Sequence, residues 1–270
     1  MTTLPEEIKA KPPSTPGEQK SQSLPGATIP RMKIPALICL SATLLVAQAA
    51  APEVEITNES HHRLVLENKY IRVFDVEIPA HSETLMHWHR HDYIYVTIGD
   101  TEVVNTVKGK PSVTVKFQDG QTGFSSAGFA HLVRPTDDHS FHNLTIEILD
   151  DATLRNLPSP WTSNKDSNRN DDRGLEVLAG GTAQVLFVKD AIRVTEFEVQ
   201  PGAVVPMQHK GPQLLVAVSD LELRAGAASG AKAAHSVLLK SGDVKWLSAH
   251  DSSASAASGH GAKFVTLEFP

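Results

Sequence analysis

Two stretches of this chain repeat one another at a fixed distance. Tyr70-Ile71-Arg72-Val73 returns as Ala191-Ile192-Arg193-Val194, and Thr145-Ile146-Glu147 returns as Thr266-Leu267-Glu268, each 121 residues on (71 to 192, 146 to 267). Ile78-Pro79-Ala80 finds its counterpart in Gln200-Pro201-Gly202, and Asp119-Gly120 in Ser241-Gly242. Matches at shifts of 121 to 122 residues require two copies of one structural unit. The unit is made of strands. Val113, Val115 and Phe117 alternate with Thr114 and Lys116, and Leu144, Ile146 and Ile148 alternate with Thr145 and Glu147. This is the period of a strand with one buried face. Gly99-Asp100, Gly109-Lys110-Pro111 and Asp119-Gly120 supply turns between strands. No long helical pattern competes, so the fold class is all-β with two tandem domains over 55–150 and 175–270. A polar, turn-rich linker joins them over 151–174, where Trp161 is expected to pin it to a domain surface.

The N-terminal part reads differently. Residues 1–30 hold six prolines and no sustained apolar pattern, which predicts a disordered or wrongly assigned extension over 1–31. Arg31 and Lys33 then precede the apolar run Ile34–Ala51, which closes on Ala47-Gln48-Ala49. A basic start, a short apolar core and a small-x-small end predict a signal peptide over 32–51, with translation starting at Met32 and the product secreted or periplasmic. An uncleaved anchor is the alternative, and only then would a membrane be a partner. The sole cysteine, Cys39, lies inside this segment, so cleavage after Ala49 leaves no disulfide and no thiolate nucleophile. A net charge of −6 offers no support for nucleic-acid binding.

The chemistry concentrates in the first copy. His87 and His89, at i and i+2 on a strand, point to one face, and Asp92 and His131 are placed to join them. Buried imidazoles without partners cost about 1–3 kcal/mol each, so a cluster of them calls for an ion or ordered water. Three imidazoles and a carboxylate suit a divalent transition metal: Fe(II), Mn, Ni, Cu or Zn. They leave positions open for water or a small-molecule substrate. Asp92 is the preferred acid, because an ionised carboxylate is a better ligand for a hard cation than Tyr93, a phenol with a pKa near 10. Tyr93 and His91 remain the alternatives. Met86, Tyr93 and Tyr95 are candidates for the pocket wall, and Arg134 for an anionic substrate group. Trp88, of opposite parity, belongs on the other side of its sheet. His61 and His62 read as surface residues ahead of the barrel, and His139 and His142 as residues of an exposed loop.

Ala80 to Gly99 resembles the first cupin motif, G-x5-H-x-H-x3-4-E-x6-G, through His87, His89 and Asp92, with Ala80 replacing the leading glycine. Gly120 to Pro135 resembles the second, G-x5-P-x-G-x2-H-x3-N, through Gly120, Gly128 and His131, with Ser126 and Pro135 in place of the proline and asparagine. The chain is similar to a bicupin, two jelly-roll barrels in tandem. In the second copy Met207 stands for His87, His209 for His89, Pro212 for Asp92 and Ser253 for His131, while His250 falls early, so that cage is lost. Ala225–Ala234 and Ser252–Gly261 read as loops. The resemblance implies an exported metal-binding protein, acting as a metal-dependent oxygenase or isomerase on a small organic molecule. The alternative is a non-catalytic binder of a sugar or organic acid. Edge strands allow a homodimer.

Overall fold

The period-two segments are strands in the computed structural model, which describes residues 52–136, 138–149, 174–207, 211–225, 236–248, 252–256 and 260–270, with Leu154 and Asn156 besides. The N-terminal extension, the signal-peptide segment, most of the linker with Trp161, and both His209 and His250 lie outside the described residues. Among the described residues no helix is long and apolar enough to cross a membrane.

The first copy holds β1 (Val54–Glu55), β2 (His62–Glu67), β3 (Ile71–Ile78), β4 (His87–His89), β5 (Tyr93–Ile98), β6 (Thr101–Val107), β7 (Val113–Phe117), β8 (Thr122–Ser125), β9 (Phe129–Pro135) and β10 (Phe141–Ile148). They form two sheets, ordered β1-β4-β9-β6-β7 and β2-β3-β10-β5-β8. The chain crosses repeatedly from one sheet to the other, which is the jelly-roll path. The second copy holds β11 (Leu175–Leu178), β12 (Gly181–Lys189), β13 (Ile192–Val199), β14 (Val204–Met207), β15 (Gln213–Ala217), β16 (Leu221–Ala225), β17 (Ser236–Leu239), β18 (Val244–Leu247), β19 (Ser252–Ala256) and β20 (Ala262–Glu268). Its sheets run β14-β19-β16-β17 and β11-β12-β13-β20-β15-β18. The sequence repeat survives as register: Val73 pairs with Ile146 across β3 and β10, and Val194 with Leu267 across β13 and β20.

The alternation along β10 has an outcome the sequence did not anticipate, because both of its faces are buried. Leu144, Ile146 and Ile148 do not fill a barrel. They join Ile71, Val73, Ile94 and Val96 in a cluster shared with Ile192, Val194, Leu214, Val216, Leu267 and Phe269 of the second copy. The two barrels thus meet through the apolar outer faces of equivalent sheets. Thr145 and Glu147 point the other way and are buried in turn. The interior of the first barrel is a smaller core of Phe74, Val76, Ile78, Val103, Val133 and Phe141. That of the second is apolar, with Met207, Leu215, Leu221, Leu223 and Phe264.

Equivalent turns press on equivalent partners across this interface. Gly120 and Gly242 both have positive φ (77° and 88°), and their N–H groups donate to Thr97 and Ala217 respectively. A Cβ at Gly120 would lie 2.9 Å from Lys263 Cδ, and one at Gly242 would lie 2.6 Å from His142 Cε1. His142 and Lys263 are themselves related by the repeat, and so are their acidic partners, Asp75 at 2.7 Å and Glu196 at 3.7 Å. His142 is therefore a residue of β10 and not of an exposed loop, while His139 is exposed.

Two further expectations are corrected. Residues 252–256, expected as part of a loop, form β19, hydrogen-bonded to β14 on one side and β16 on the other. Ladder pairing with both neighbours outweighs the low strand propensity of serine and alanine there. The β14–β19 register also opposes Met207 to Ser252, as His87 opposes His131, so Ser252 and not Ser253 stands where His131 would.

Candidate metal centre

β4 and β9 are antiparallel neighbours, and their register sets His87 directly opposite His131, with His89 one pleat further on. All three rings project into the first barrel, where exposure falls to 1%, 1% and 8% for His87, His89 and His131. Ring centroids lie 4.6 Å (His87–His131), 4.8 Å (His89–His131) and 5.1 Å (His87–His89) apart. One ligand-capable nitrogen from each ring falls within 4.8 Å of the others.

The surroundings orient the rings. His87 Nδ1 donates to the Leu85 carbonyl at 2.9 Å, and His131 Nδ1 donates to Asn105 Oδ1 at 2.9 Å. Each neutral ring then carries its lone pair on Nε2. His87 Nε2 is buried with no partner, as is His89 Nδ1. Tyr93 and Phe129 pack against His89, with ring centroids at 4.4 and 5.3 Å. Burial, reinforced by the neighbouring imidazoles, pushes His87 down to about 4 and His131 down to about 3, and lowers His89 further still. The cluster is therefore neutral at physiological pH, which is the ligating state.

The other sequence candidates fall into two groups. Tyr93 and Tyr95 line the cavity beside the histidines, and burial pushes the Tyr93 phenol up to about 12. Asp92 is buried, but the structure does not bring it into the histidine group; its Oδ1 accepts from Ala127 N at 2.8 Å and ties down the turn before β9. His91 sits past the end of β4, half-buried and outside the group. Met86 is not among the cavity-lining residues. Arg134 is exposed, because on β9 it has the opposite parity to His131 and Val133; it does not reach the cavity. Trp88 lies on the far side of its sheet as expected, donating to Glu53 and covered by the Arg90 guanidinium at 4.2 Å.

The structure adds two residues that sequence reasoning missed. His62, read as a surface residue, is on the inner face of β2 with its ring 4.5 Å from that of His87 and its side chain 4% exposed. Its Nδ1 donates to Glu59 Oε2 at 2.6 Å. Glu59 is 2% exposed and also accepts from His61 N, His61 Nδ1 and Leu85 N. Burial alone would raise its pKa, yet the hydrogen bonds from His62 and His61 outweigh it and hold Glu59 at about 2. The signal was hidden by a register shift between Leu64 and Leu66, which breaks the alternation along β2.

His62 joins His87, His89 and His131 at the wall of a cavity of about 680 Å³ in the first barrel. A second group, Asp75, Glu77 and His142, lies within ligand distance on the outer face, but Asp75 is already paired with both His142 and Arg63. Among the described residues the second barrel has no such group.

No family model and no curated protein matches the sequence. Among solved structures the chain is similar to the vicilin from Solanum melongena, at 12% identity over 74% of each chain with a TM-score of 0.54. It is also similar to oxalate decarboxylase from Bacillus subtilis at pH 4.6, at 12% identity over 74% of this chain and 68% of that one, TM-score 0.51. A second structure of that enzyme, concerned with its Mn(II) centres, gives 13% identity over 75% and 69%, TM-score 0.50. At such identities the likeness shows the fold, which is that of two tandem cupin barrels.

Proposed function

We propose that the first barrel holds one divalent transition-metal ion on His87, His89 and His131, and that the chain acts there as a metal-dependent oxygenase on a small organic molecule. The observation that carries this is the pair of Nε2 atoms of His89 and His131, 3.0 Å apart, beside the partnerless Nε2 of His87. Two nitrogens each about 2.1 Å from one ion and 3.0 Å apart subtend about a right angle, so the donor set fits a metal. Without an ion, the partnerless Nε2 of His87 forfeits about 1–3 kcal/mol.

A divalent ion on three neutral imidazoles would keep its charge and open positions, and would polarise an oxygen-bearing molecule or activate dioxygen beside it. The chain's own residues prepare for this. Leu85 and Asn105 fix the tautomers of His87 and His131, and hydrogen-bond partners of this kind orient metal-ligating imidazoles. Tyr93 and Phe129 fix the plane of His89. The Mn(II) centres of the Bacillus subtilis enzyme make manganese, with iron(II), the first ion to try. The basic-then-apolar segment 31–51 supports export.

Elemental mass spectrometry of the protein without a polyhistidine tag tests the reading, beside His87→Ala and His131→Ala. Near one equivalent of a transition metal, lost in both variants, is expected, and oxygen uptake would then separate an oxygenase from a non-catalytic binder. No metal after reconstitution with iron(II), manganese and zinc would overturn it.

A further inference from the structure

His87 is reached through residues 82–86, which form no regular structure. Within this stretch the Leu85 carbonyl accepts from His87 Nδ1 and so sets its tautomer. The Leu85 side chain is 39% exposed, so packing does little to place that carbonyl. Backbone contacts place it instead. Thr84 N donates to the Val133 carbonyl at 3.0 Å, and Val54 N of β1 donates to the Met86 carbonyl at 2.9 Å. Between them, Leu85 N donates to Glu59 Oε1 at 3.2 Å.

Glu59 is buried, a costly place for a charged carboxylate that lacks partners. Two backbone donors show why a carboxylate stands there. Leu85 N faces Oε1, and His61 N faces Oε2 at 2.9 Å. A backbone N–H only donates, so both oxygens must accept. This holds whatever the protonation of the neighbouring imidazoles. A glutamine would turn its NH2 group toward one of the two donors.

The second copy offers a comparison within the molecule. β2 and β12 share a register shift, between Leu64 and Leu66 and between Val185 and Phe187, so the offset of 121 holds through this region. Glu59 then corresponds to Gly180, where even a Cβ would lie 2.8 Å from Ala203 Cβ. Val54 and Glu55, parallel partners of β4, correspond to Leu175 and Glu176, which pair with β12 instead. The copy with Met207 in place of His87 thus has neither this carboxylate nor this pairing.

We propose that Glu59 is a positioning residue for His87: its carboxylate fixes Leu85, and the Leu85 carbonyl keeps the proton of His87 on Nδ1 and the lone pair on Nε2. The inference rests on the metal reading for what that lone pair does. The tautomer itself is a property of the protein without metal.

Tautomer and metal affinity are therefore read separately, on the full chain, in wild type and Glu59→Gln, with circular dichroism confirming that both fold. Nitrogen–proton correlation NMR of the metal-free protein reads the tautomers, the signals being assigned with His87→Gln and His131→Gln. Titration with manganese, iron(II) and zinc reads the affinity. Glu59→Gln is expected to mix the tautomers of His87 and to leave that of His131, which Asn105 holds, unchanged. Its metal affinity should fall about tenfold, the scale on which such orienting partners act. An unchanged His87 tautomer, equal disturbance of His87 and His131, or an unchanged affinity where wild type binds metal would overturn the inference and leave the metal site standing. Should Glu59→Gln not fold, amide hydrogen exchange of wild type decides: slow exchange at Leu85 N supports the anchor, and exchange at the rate of an open loop overturns it. If wild type binds none of the three ions, the metal reading falls instead, and the His87 tautomer still decides the role of Glu59.

Discussion

Glu147 shows how one side chain can set a pH dependence. It is fully buried on β10, opposite Arg72 of β3, whose Nη1 stands 3.4 Å from its Oε2, and its Oε1 has no partner. Arg72 is shared with the exposed Glu67. Burial therefore prevails over the pull of Arg72 and pushes Glu147 up to about 7. With the folded value above the unfolded one, the stability it contributes is complete below the unfolded pKa of about 4.3 and is lost as pH rises through about 7. Glu147→Gln should raise the unfolding free energy at pH 8 relative to wild type by about 2 kcal/mol and leave it unchanged at pH 4; urea unfolding followed by circular dichroism reads both. Asp92 supports a second expectation. With its carboxylate holding Ala127 N, Asp92→Asn should retain the metal, whereas Asp92→Ala should lose about 1–3 kcal/mol of stability in denaturant unfolding. At this scale the three histidines were legible, because spacing along strands is spacing in space. His62 was not, because the register shift after Leu64 breaks the alternation along β2. The exposure of Arg134 was legible in its parity with His131, which the sequence reading did not apply.

Strands read well where alternation was clean, as in β7 and β10. What alternation does not tell is which face meets the interior, and here the more apolar face of β10 meets the other barrel. β19 was missed because alanine and serine carry little strand signal, and its existence depends on neighbours distant in sequence. Between β5 and β8 the fit is close: a Cβ at Gly123 would come 2.4 Å from the Tyr95 hydroxyl oxygen. Gly123→Ala should push Tyr95 out of place at a cost of about 1–3 kcal/mol and weaken binding of any molecule held in the cavity, which urea unfolding and ligand titration would both detect.

At the level of the molecule, the shared cluster makes the barrels depend on each other. Leu214 is fully buried in it, so Leu214→Ala should cost about 2–5 kcal/mol. Because the cluster belongs to both barrels, calorimetry should show one transition moving down as a whole; a split into two transitions would mean that the barrels unfold independently. The repeat predicted two copies, and the pairing registers repeat with it. The meeting of equivalent faces was beyond it, since a sequence shift carries no information about how two copies are turned toward each other.

The reciprocal contacts, Gly120 against Lys263 and Gly242 against His142, have the form of a two-fold axis. A patch that meets its own copy is the signature of a homodimer, so the two halves of this chain meet as the subunits of such a dimer do. Fusion makes the partner permanent and lets the copies diverge. One half needs to keep its histidines; the other, with Met207 in place of the first of them, needs only to go on covering its sister. Under the proposed metal reading, chemistry and cover would then be divided between two halves of one chain.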